Sequence, residues 1–389
     1  MIIRFLLLTA FTCLASASYT FGQGINGQNV ITTAVPFLTI APDSRSAAMG
    51  DAGVATSPDA NSIFWNPAKL AFSDKKFGAS VSYTPWLRNL INDMSLSYLS
   101  GYYKWDDKQA VGLSLTYFDL GSIQFTDIYG GLLNNSNPTE FAITTSYSRK
   151  LGRNFSMAVN LKFINSNLTD GFSVGGGSSK AGQTGGADIG AFYTKDLNWK
   201  GKDIKWTLGG MISNLAGKVA YNNSNKDFVP TNLRIGTAFT NTINPYNKLT
   251  WALDFNKLMV PTPDPVTVNN VTTNRSADKG FISGVTGSFT DAPGGFKEEI
   301  QEISISTGFE YWYRDAFALR AGYFGEHKNK GDRKFLSLGL GLRSNKLGLD
   351  FSYLFPLTQN SPLANTLRLS VLFNVGNSDK KATQEEITN

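Results

Sequence analysis

Residues Ile303–Tyr313 read ISISTGFEYWY and alternate between two kinds of side chain. Ile305 and Phe309 belong to an apolar set, whereas Ser306 and Glu310 belong to a small or polar set. A period of two residues is the period of a β-strand, in which successive side chains lie on opposite faces. The stretch therefore predicts a strand with one apolar face and one polar face.

The same alternation recurs from about residue 77 to 376, and charged residues stay off the apolar face. We predict fourteen strands, an even number, as single-chain bacterial membrane barrels require. The predicted segments are 77–86, 91–104, 109–125, 139–151, 154–167, 184–196, 203–214, 231–242, 247–259, 300–313, 316–326, 333–344, 346–355 and 365–376.

A periplasmic β-sandwich is the alternative interpretation of this pattern. Its second face would meet bulk water and would carry many Lys and Glu residues, whereas here that face is mostly Gly, Ser, Thr and Asn. Such a face suits a crowded polar barrel interior, and an Arg or Lys on the opposite face would cost about 2–4 kcal/mol at the bilayer midplane. The prediction is an all-β fold, a fourteen-stranded antiparallel transmembrane β-barrel over residues 77–376.

The composition excludes several other classes of protein. Only 17% of the 389 residues are charged, 13% are aromatic and 38 are Gly. No run of 18 or more apolar residues follows the first ~20, so a helical membrane protein is excluded. The 36 Lys and Arg against 30 Asp and Glu form no basic cluster, so nucleic acid is not an expected partner.

The first residues predict an export signal. Arg4 precedes an apolar stretch that is too short to span a membrane, and small residues follow it. We expect a signal peptide over residues 1–22, cleaved after Ala17 or near Gly22. Cys13 is the only cysteine, so the mature chain has no disulfide, thiolate metal site or Cys nucleophile. A lipidated Cys13 is the alternative, although the residues before it differ from the usual lipoprotein pattern.

The connections between the predicted strands sort into two kinds. Every second connection is short, as at Asp106-Asp107 and Leu151-Gly152-Arg153. Most of the others are longer, above all 171–186 and 260–299. Short periplasmic turns that alternate with longer outer loops are the rule for membrane barrels. A periplasmic tail, 377–389, is expected after the last strand.

Residues 23–76 do not alternate. Pro42–Gly50 predicts a short helix with an Asp or Ser cap that ends at glycine, and Asp59–Phe64 predicts a second. The segment is too short and too rich in Gly and Pro for a domain with its own core. We therefore expect a short helical hatch that plugs the lumen.

The segment APDSRSAAMGDAGVATSPDANSIFWNPAKL, residues 41–70, resembles the N-terminal hatch of the FadL-like outer-membrane barrels, in which an Asn-Pro-Ala element precedes the first of fourteen strands. The opening NVITTAVPFLTIAPDSRSAAMGDAGVAT, residues 29–56, resembles the PorV branch of that group, a component of the type IX secretion system of Bacteroidota. The hatch residues singled out by the resemblance are Arg45, Met49, Gly50, Trp65, Asn66 and Pro67.

The resemblance implies a function in protein secretion at the outer membrane. It implies three partners: a SprA/Sov-type translocon barrel, the C-terminal signal domains of secreted cargo, and an attachment complex with a PorU-type sortase. The chemistry implied is recognition and handover by outer loops that face the cell surface, with no catalytic residue, cofactor or metal.

Two regions are candidates for partner binding. The first hairpin is apolar, although an aromatic girdle at the membrane interface is an alternative interpretation of it. The connection 260–299 is over-long for a hairpin, which indicates a function. The candidate residues are Trp86, Leu87, Leu90, Phe281, Phe289 and Phe296.

Two other functions remain open at this stage. A FadL-like transporter of hydrophobic small molecules would share the hatch and the fourteen strands. An outer-membrane lipid deacylase would need an imidazole base, for which His327 is the only candidate. We interpret Asp254, Glu310, Arg320, Asp350 and Arg368 as charge pairs inside the lumen.

Overall fold

The structure is a computed structural model that describes residues 29–377, except 89–90, 92, 127–128, 169–179, 200, 223–225, 269–270 and 360. The predicted signal peptide, Leu90 and the tail beyond residue 377 lie outside the described residues, and their assignments stay predictions. None of the helices in the described ranges is long and apolar enough to cross a membrane.

Eighteen strands form in the described residues, and fourteen of them close a barrel. The strands are β1 Lys75–Pro85, β2 Ser95–Lys104, β3 Gln109–Asp119, β4 Ile123–Thr126, β5 Leu132–Ser136, β6 Thr139–Lys150, β7 Phe155–Asn167, β8 Gly182–Trp199, β9 Lys202–Ala216, β10 Asn232–Asn244, β11 Asn247–Leu258, β12 Pro265–Val268, β13 Val271–Asn274, β14 Ile303–Tyr313, β15 Phe317–Gly325, β16 Lys334–Arg343, β17 Leu347–Pro356 and β18 Leu367–Asn377. The α-helices are α1 Ser44–Ala47, α2 Ser62–Trp65, α3 Phe281–Gly287 and α4 Phe296–Gln301, and 3-10 turns span Pro36–Thr39, Pro67–Phe72, Arg275–Asp278 and Lys328–Lys330.

The barrel closes between its first and last strands. The order is β1-β2-β3-β6-β7-β8-β9-β10-β11-β14-β15-β16-β17-β18, with each strand antiparallel to its neighbours. The β1–β18 pair runs in register from Lys75 opposite Asn377 to Tyr83 opposite Leu369. Closure leaves no open sheet edge, which a bilayer requires because it offers no partner for unpaired backbone groups. The predicted fourteen-stranded barrel is confirmed.

The two faces of the strands lie as the alternation predicted. On β14, Ile305 and Phe309 are exposed on the outer surface, 41% and 51%. Ser306 and Glu310, one position away, are buried in the lumen. Because the outer surface is a continuous apolar band, lipid can cover it at little cost.

The two ends of the barrel differ. We call the end with the turns 105–108, 151–154, 200–201, 245–246, 314–316 and 344–346 the short-turn end, and the opposite end the long-loop end. Three predicted strand limits are wrong. The second strand begins at Ser95 because Leu87 has a left-handed φ of 48° and the chain turns there. The third ends at Asp119, before Gly121 with φ 75°. Residues 300–301 belong to α4 and not to a strand.

The described part of the hatch, residues 29–76, runs down the lumen from the long-loop end. Residues 29–40, which we call the mouth segment, contact the loops there: the Asn29 N–H donates to the Asn329 carbonyl, and the Ala34 N–H donates to the Phe228 carbonyl. Residues 41–50 are all buried. The chain leaves the lumen at the short-turn end and enters β1, so the predicted lumenal hatch is confirmed.

The connection 259–302, which we call the insert, folds at the long-loop end. It contains the β12–β13 pair, α3 and α4. Lys257 of β11 binds Glu299 at 3.0 Å and Glu302 at 2.5 Å, and Lys330 of a neighbouring loop binds Glu302 at 2.9 Å. These buried ion pairs attach the base of the insert to the barrel.

Candidate functional site

Arg45 joins the hatch to the barrel wall. Its Nε and Nη2 donate to the two carboxylate oxygens of Glu310 at 2.8 and 2.7 Å, and its Nη1 donates to Asp59 at 2.9 Å. A fork-to-carboxylate pair of this kind fixes both distance and orientation. Arg45 is held in place by α1, whose N-cap Asp43 accepts the Ser46 N–H at 2.9 Å.

The Arg45 pair continues into a network of lumenal charges. Arg320 donates to Glu310 at 2.7 Å and to Asp350 at 2.8 Å. Arg343 ends this network of charges by binding Asp350 at 2.7 Å. The predicted pairing of Glu310, Arg320 and Asp350 is confirmed. Asp254 and Arg368 differ from this prediction, because neither makes an ion pair with a described residue, and Asp254 accepts backbone N–H groups instead.

Met49 and Gly50 pack directly on the backbone of the wall. Gly50 has φ 69°, and a Cβ on it would lie 2.4 Å from the Tyr323 carbonyl oxygen. A Cβ on Gly308 would lie 2.4 Å from the Met49 carbonyl oxygen, and one on Gly322 would lie 2.0 Å from the Gly50 nitrogen. The Gly positions on the polar face of the strands therefore make room for the hatch, as close backbone contact requires.

Polar side chains satisfy the irregular backbone of the hatch. Asp254 of β11 accepts the Gly53 and Val54 N–H groups at 2.7 and 2.9 Å. Asn66 donates to the Val54 carbonyl at 3.1 Å and to the Ala191 carbonyl at 2.9 Å. Since a buried, non-helical segment leaves many backbone groups unpaired, these bonds are what allow it to lie inside the barrel.

The Trp65-Asn66-Pro67 element is the point where α2 ends and a 3-10 turn begins. The Trp65 Nε1 donates to Asp43 at 2.5 Å, so the second half of the hatch is bound to the cap of the first. Asn66 caps the 3-10 turn by accepting the Ala68 N–H at 3.1 Å, and Pro67 stands at its first position. Proline at this position loses no hydrogen bond.

Two hatch groups titrate away from their ordinary range. Burial, with the nearby charge of Asp59, raises the pKa of Asp43 to about 6. Burial lowers the pKa of Lys69 to about 8. The Lys69 Nζ donates to the Gly53 carbonyl at 2.6 Å and to the Thr56 hydroxyl at 3.2 Å. Both groups act as internal supports of the hatch.

The first-hairpin candidates pack inward at the long-loop end. Trp86 and Leu87 are half-buried against an apolar cluster that includes Phe37 of the mouth segment. The Arg368 guanidinium carbon lies 5.8 Å from the Trp86 ring centroid. This hairpin is part of the packing at the mouth, so its side chains are less available to a partner than the sequence suggests.

The insert candidates are more exposed. Phe296 is 80% exposed on α4 and Phe289 is 42% exposed, with the Lys257 Nζ 5.7 Å from the Phe289 ring centroid. Phe281 is half-buried at the start of α3. Sequence reasoning missed Ile282, which is 75% exposed. Its position next to Phe281 was the available signal.

His327 occupies a structural position in the loop after β15. It precedes the 3-10 turn Lys328–Lys330, and its Nδ1 accepts the Asn329 N–H at 3.3 Å. Within the described residues, no group of three or more His, Cys, Asp or Glu side chains is arranged to hold a metal ion.

A cavity of about 490 Å³ lies between the mouth segment, the hatch and the barrel wall. Its lining includes Asp51, Arg234, Glu302, Glu326 and Arg333. Sequence reasoning did not single out Asp51, Arg234 or Arg333, because they come from the hatch, β10 and a loop and lie far apart in the chain.

The chain was compared with known families, curated sequences and solved structures. The model of the family described as "Type IX secretion system protein PorV" matches residues 23–265, more than half of the chain. No curated protein sequence matches the chain.

Among solved structures, the chain is similar to a FadL homologue of Pseudomonas aeruginosa, at 14% identity and TM-score 0.46 over 90% of this chain and 99% of that chain. It is also similar to the toluene transporter TbuX of Ralstonia pickettii, at 11% identity and TM-score 0.49 over 86% and 98%. With its closed fourteen-stranded barrel and this family match, the chain is an outer-membrane protein that belongs to the PorV family of type IX secretion system proteins.

Proposed function

We propose that this protein binds a SprA/Sov-type translocon barrel, collects cargo by its C-terminal signal domain and hands it to an attachment complex with a PorU-type sortase. The family match supports a place in type IX secretion. The long-loop end faces the cell surface in this proposal, because longer loops are extracellular in bacterial barrels.

The observation that carries the proposal is the exposed apolar surface of the insert. Phe296 and Ile282 are 80% and 75% exposed, and Ile300 is 53% exposed. Phe296 and Ile300 stand on α4, which the Lys257 ion pairs to Glu299 and Glu302 hold to the barrel, and Ile282 stands on α3. Exposed aromatic and aliphatic side chains on a fixed support are suited to anchor a protein partner.

The filled lumen supports protein recognition at the mouth rather than passage of a substrate. Residues 41–50 are buried, and bonds through Arg45, Asp254 and Asn66 bind the hatch to three strands of the wall, the neighbours β14 and β11 and the more distant β8. To open a channel the hatch would have to break these buried bonds. Transport of hydrophobic small molecules remains the alternative outcome of the experiment below.

The test is replacement of Phe296 by Ser, with Tyr129→Ser as the matched control. Tyr129 is 90% exposed on a different loop at the same end of the barrel. We expect Phe296→Ser to leave barrel folding unchanged and to weaken co-purification of cargo or translocon by roughly tenfold or more, as loss of an interface anchor of about 2 kcal/mol does. The control should bind like the native protein.

Removal of the whole protein gives the complementary result. We expect unprocessed cargo to accumulate while the translocon still assembles. Normal surface display of cargo, together with uptake of fatty acid or hydrocarbon by liposomes that contain the protein, would contradict the proposal and support the transporter.

A further inference from the structure

The cavity at the long-loop end reaches the surface and has a lining of both polar and apolar residues. Thr33, Thr39, Ser304 and Ser306 line it, and Val30 and Thr32 are exposed at its rim. Its volume of about 490 Å³ is in the range of small-molecule sites. Ile31, Trp65 and Phe324 also line it, so the lining combines apolar surface with polar and charged groups. Such a lining suits a ligand that has both a carbon skeleton and a charged or polar group.

Arg234 lies in this cavity with unused hydrogen-bonding capacity. Its guanidinium carbon lies 4.5 Å from the Trp65 ring centroid, and its Nε donates to the Asn256 side-chain oxygen at 2.6 Å. Neither of its terminal nitrogens has a hydrogen-bond partner among the described residues. Trp65 and Asn256 therefore hold the guanidinium flat while two of its donor nitrogens stay free.

The other charged groups around the cavity already have partners or face each other. Arg333 binds Glu326, with its Nε 2.8 Å from a carboxylate oxygen. Glu302 accepts from Lys257 at 2.5 Å and from Lys330 at 2.9 Å. Of the cations in the described lining, Arg234 is therefore the one that makes no ion pair.

Two carboxylates oppose an anion at Arg234, that of Asp254 on the wall and that of Asp51 in the cavity lining. One of the Asp51 carboxylate oxygens is buried without a hydrogen-bond partner, and burial raises the pKa of Asp51 against the charges of Arg368, Arg333 and Arg234. Arg368 is 3% exposed and has no hydrogen bond to a described residue, so it is placed to offset the Asp51 charge.

We propose that this cavity binds a phosphate or carboxylate group on an organic molecule, with Arg234 as the anchoring residue. The terminal nitrogens of Arg234 match the two oxygens of such a group. Thr33 and Ser304, which also line the cavity, would bond to polar groups on the rest of the ligand. The site is independent of cargo handover, since none of its anchoring residues belongs to the exposed surface of the insert.

The experiment measures binding of glucose 6-phosphate and glucuronate to the purified full-length mature protein in detergent, by calorimetry, with glucose as the neutral comparison. Phosphatidylglycerol added to phosphatidylcholine micelles tests a lipid headgroup as the source of the phosphate. We expect saturable binding of at least one anion and none of glucose. Equal binding of glucose, or no saturable binding of any of these anions, would overturn the proposal.

Three variants assign the binding to Arg234. Arg234→Gln should weaken anion binding by about tenfold or more, because a charge-assisted hydrogen bond is lost. Asp51→Asn should strengthen it, because the opposing charge disappears; Asn tolerates the left-handed φ of 63° at this position. Arg153→Gln, in an exposed turn at the other end of the barrel, is the control.

Folding of each variant is checked by its heat-modifiable migration. If Arg234→Gln does not fold, the gain in affinity for Asp51→Asn still decides the question. Unchanged or weaker binding in that variant would overturn the assignment, as would equal losses in Arg234→Gln and the Arg153 control.

Discussion

The hatch and the insert are both built from short helices, yet they are held in opposite ways. In the hatch, α1 and most of α2 are buried, and each irregular stretch meets a side chain of the wall. In the insert, α4 is held mainly by the ion pairs at its base, while Phe296 stands in solvent. Enclosure by the barrel makes an unpartnered polar group costly, so most of the hatch is bonded to the wall, whereas a loop in water can leave its surface free for a partner.

This difference has an energetic consequence. Breaking a buried, hydrogen-bonded charge pair costs about 3–5 kcal/mol, whereas an exposed pair contributes about 0–1 kcal/mol. The same type of substitution should therefore act strongly in the hatch and weakly in the insert. Three paired substitutions test this.

The largest difference is expected between two arginines. Arg45→Met leaves Glu310 with one cation fewer in a buried site and should destabilise the hatch by about 3–5 kcal/mol. Arg275→Met, in the insert, removes a side chain that is 73% exposed and lies 3.9 Å from Asp264. We expect an effect below about 1 kcal/mol there. Hydrogen exchange of the hatch and insert amides measures both, and equal protection loss would contradict the comparison.

A smaller difference is expected between two glycines with positive φ. Gly50→Ala must fit a Cβ 2.4 Å from the Tyr323 carbonyl oxygen at φ 69°, so overpacking adds to strain and we expect a loss of about 2–5 kcal/mol. Gly295→Ala, at φ 66° and ψ −155° with no atom within 4 Å of the new Cβ, carries only the backbone strain of a region that side chains rarely adopt, about 1–3 kcal/mol.

Thermal unfolding in detergent, read from the loss of the heat-modifiable form, compares the two glycine variants. Similar midpoints would mean that the hatch moves away from Tyr323 without penalty and is less firmly packed than the contacts indicate.

The smallest effect concerns pH and has opposite signs in the two regions. The pKa of Asp43 in the folded protein, about 6, lies above its ordinary value of 3.8. Its contribution to the free energy of unfolding is therefore present below pH 4 and is lost as the pH rises to 6. The loss is at most about 3 kcal/mol. Glu298 in the insert is partly desolvated, but its bond to Lys330 lowers its pKa. Its contribution is present above pH 4.5 and is lost as the pH falls.

Acidification from pH 6 to 4 should therefore tighten the hatch and loosen the insert. Hydrogen exchange, corrected for the intrinsic effect of pH, reports both regions in one sample. Asp43→Asn removes the titrating group but keeps only one of the two oxygens that accept from Ser46 and Trp65, so its stability is compared with itself at the two pH values. The variant should remove the pH response of the hatch, and Glu298→Gln should reduce that of the insert. A hatch response that survives Asp43→Asn would assign it to another group.

Sequence patterns predicted the barrel well because alternation is a local property. The face of Ser306 or Phe309 depends only on its position within one strand, so fourteen strands and their faces could be derived without any knowledge of their neighbours. The prediction was wrong where a local turn intervened, as at Gly121, or where a helix replaced a strand, as at 300–301.

The positions of the candidate site residues were predicted less accurately than the strands of the barrel. Arg45, Gly50 and Asn66 lie in the hatch and contact the barrel wall, and Phe296 is exposed, while partner binding by the candidate residues stays a prediction. Trp86 was chosen for its apolar character, but it packs inward at the mouth. Burial of a single aromatic residue in a loop depends on which other segments reach it, and the sequence contains no period that reports this.

The sequence by itself determined a membrane barrel, its lumenal and lipid faces and the place of a hatch, because the strand period and the face of each residue follow from the types of neighbouring residues. Only the tertiary structure decided that the mouth segment lies at the long-loop end and that Asp51, Arg234 and Arg333 border one cavity. Those residues come from a hatch, a strand and a loop, and their proximity follows from the closure of the barrel and the path of the hatch inside it.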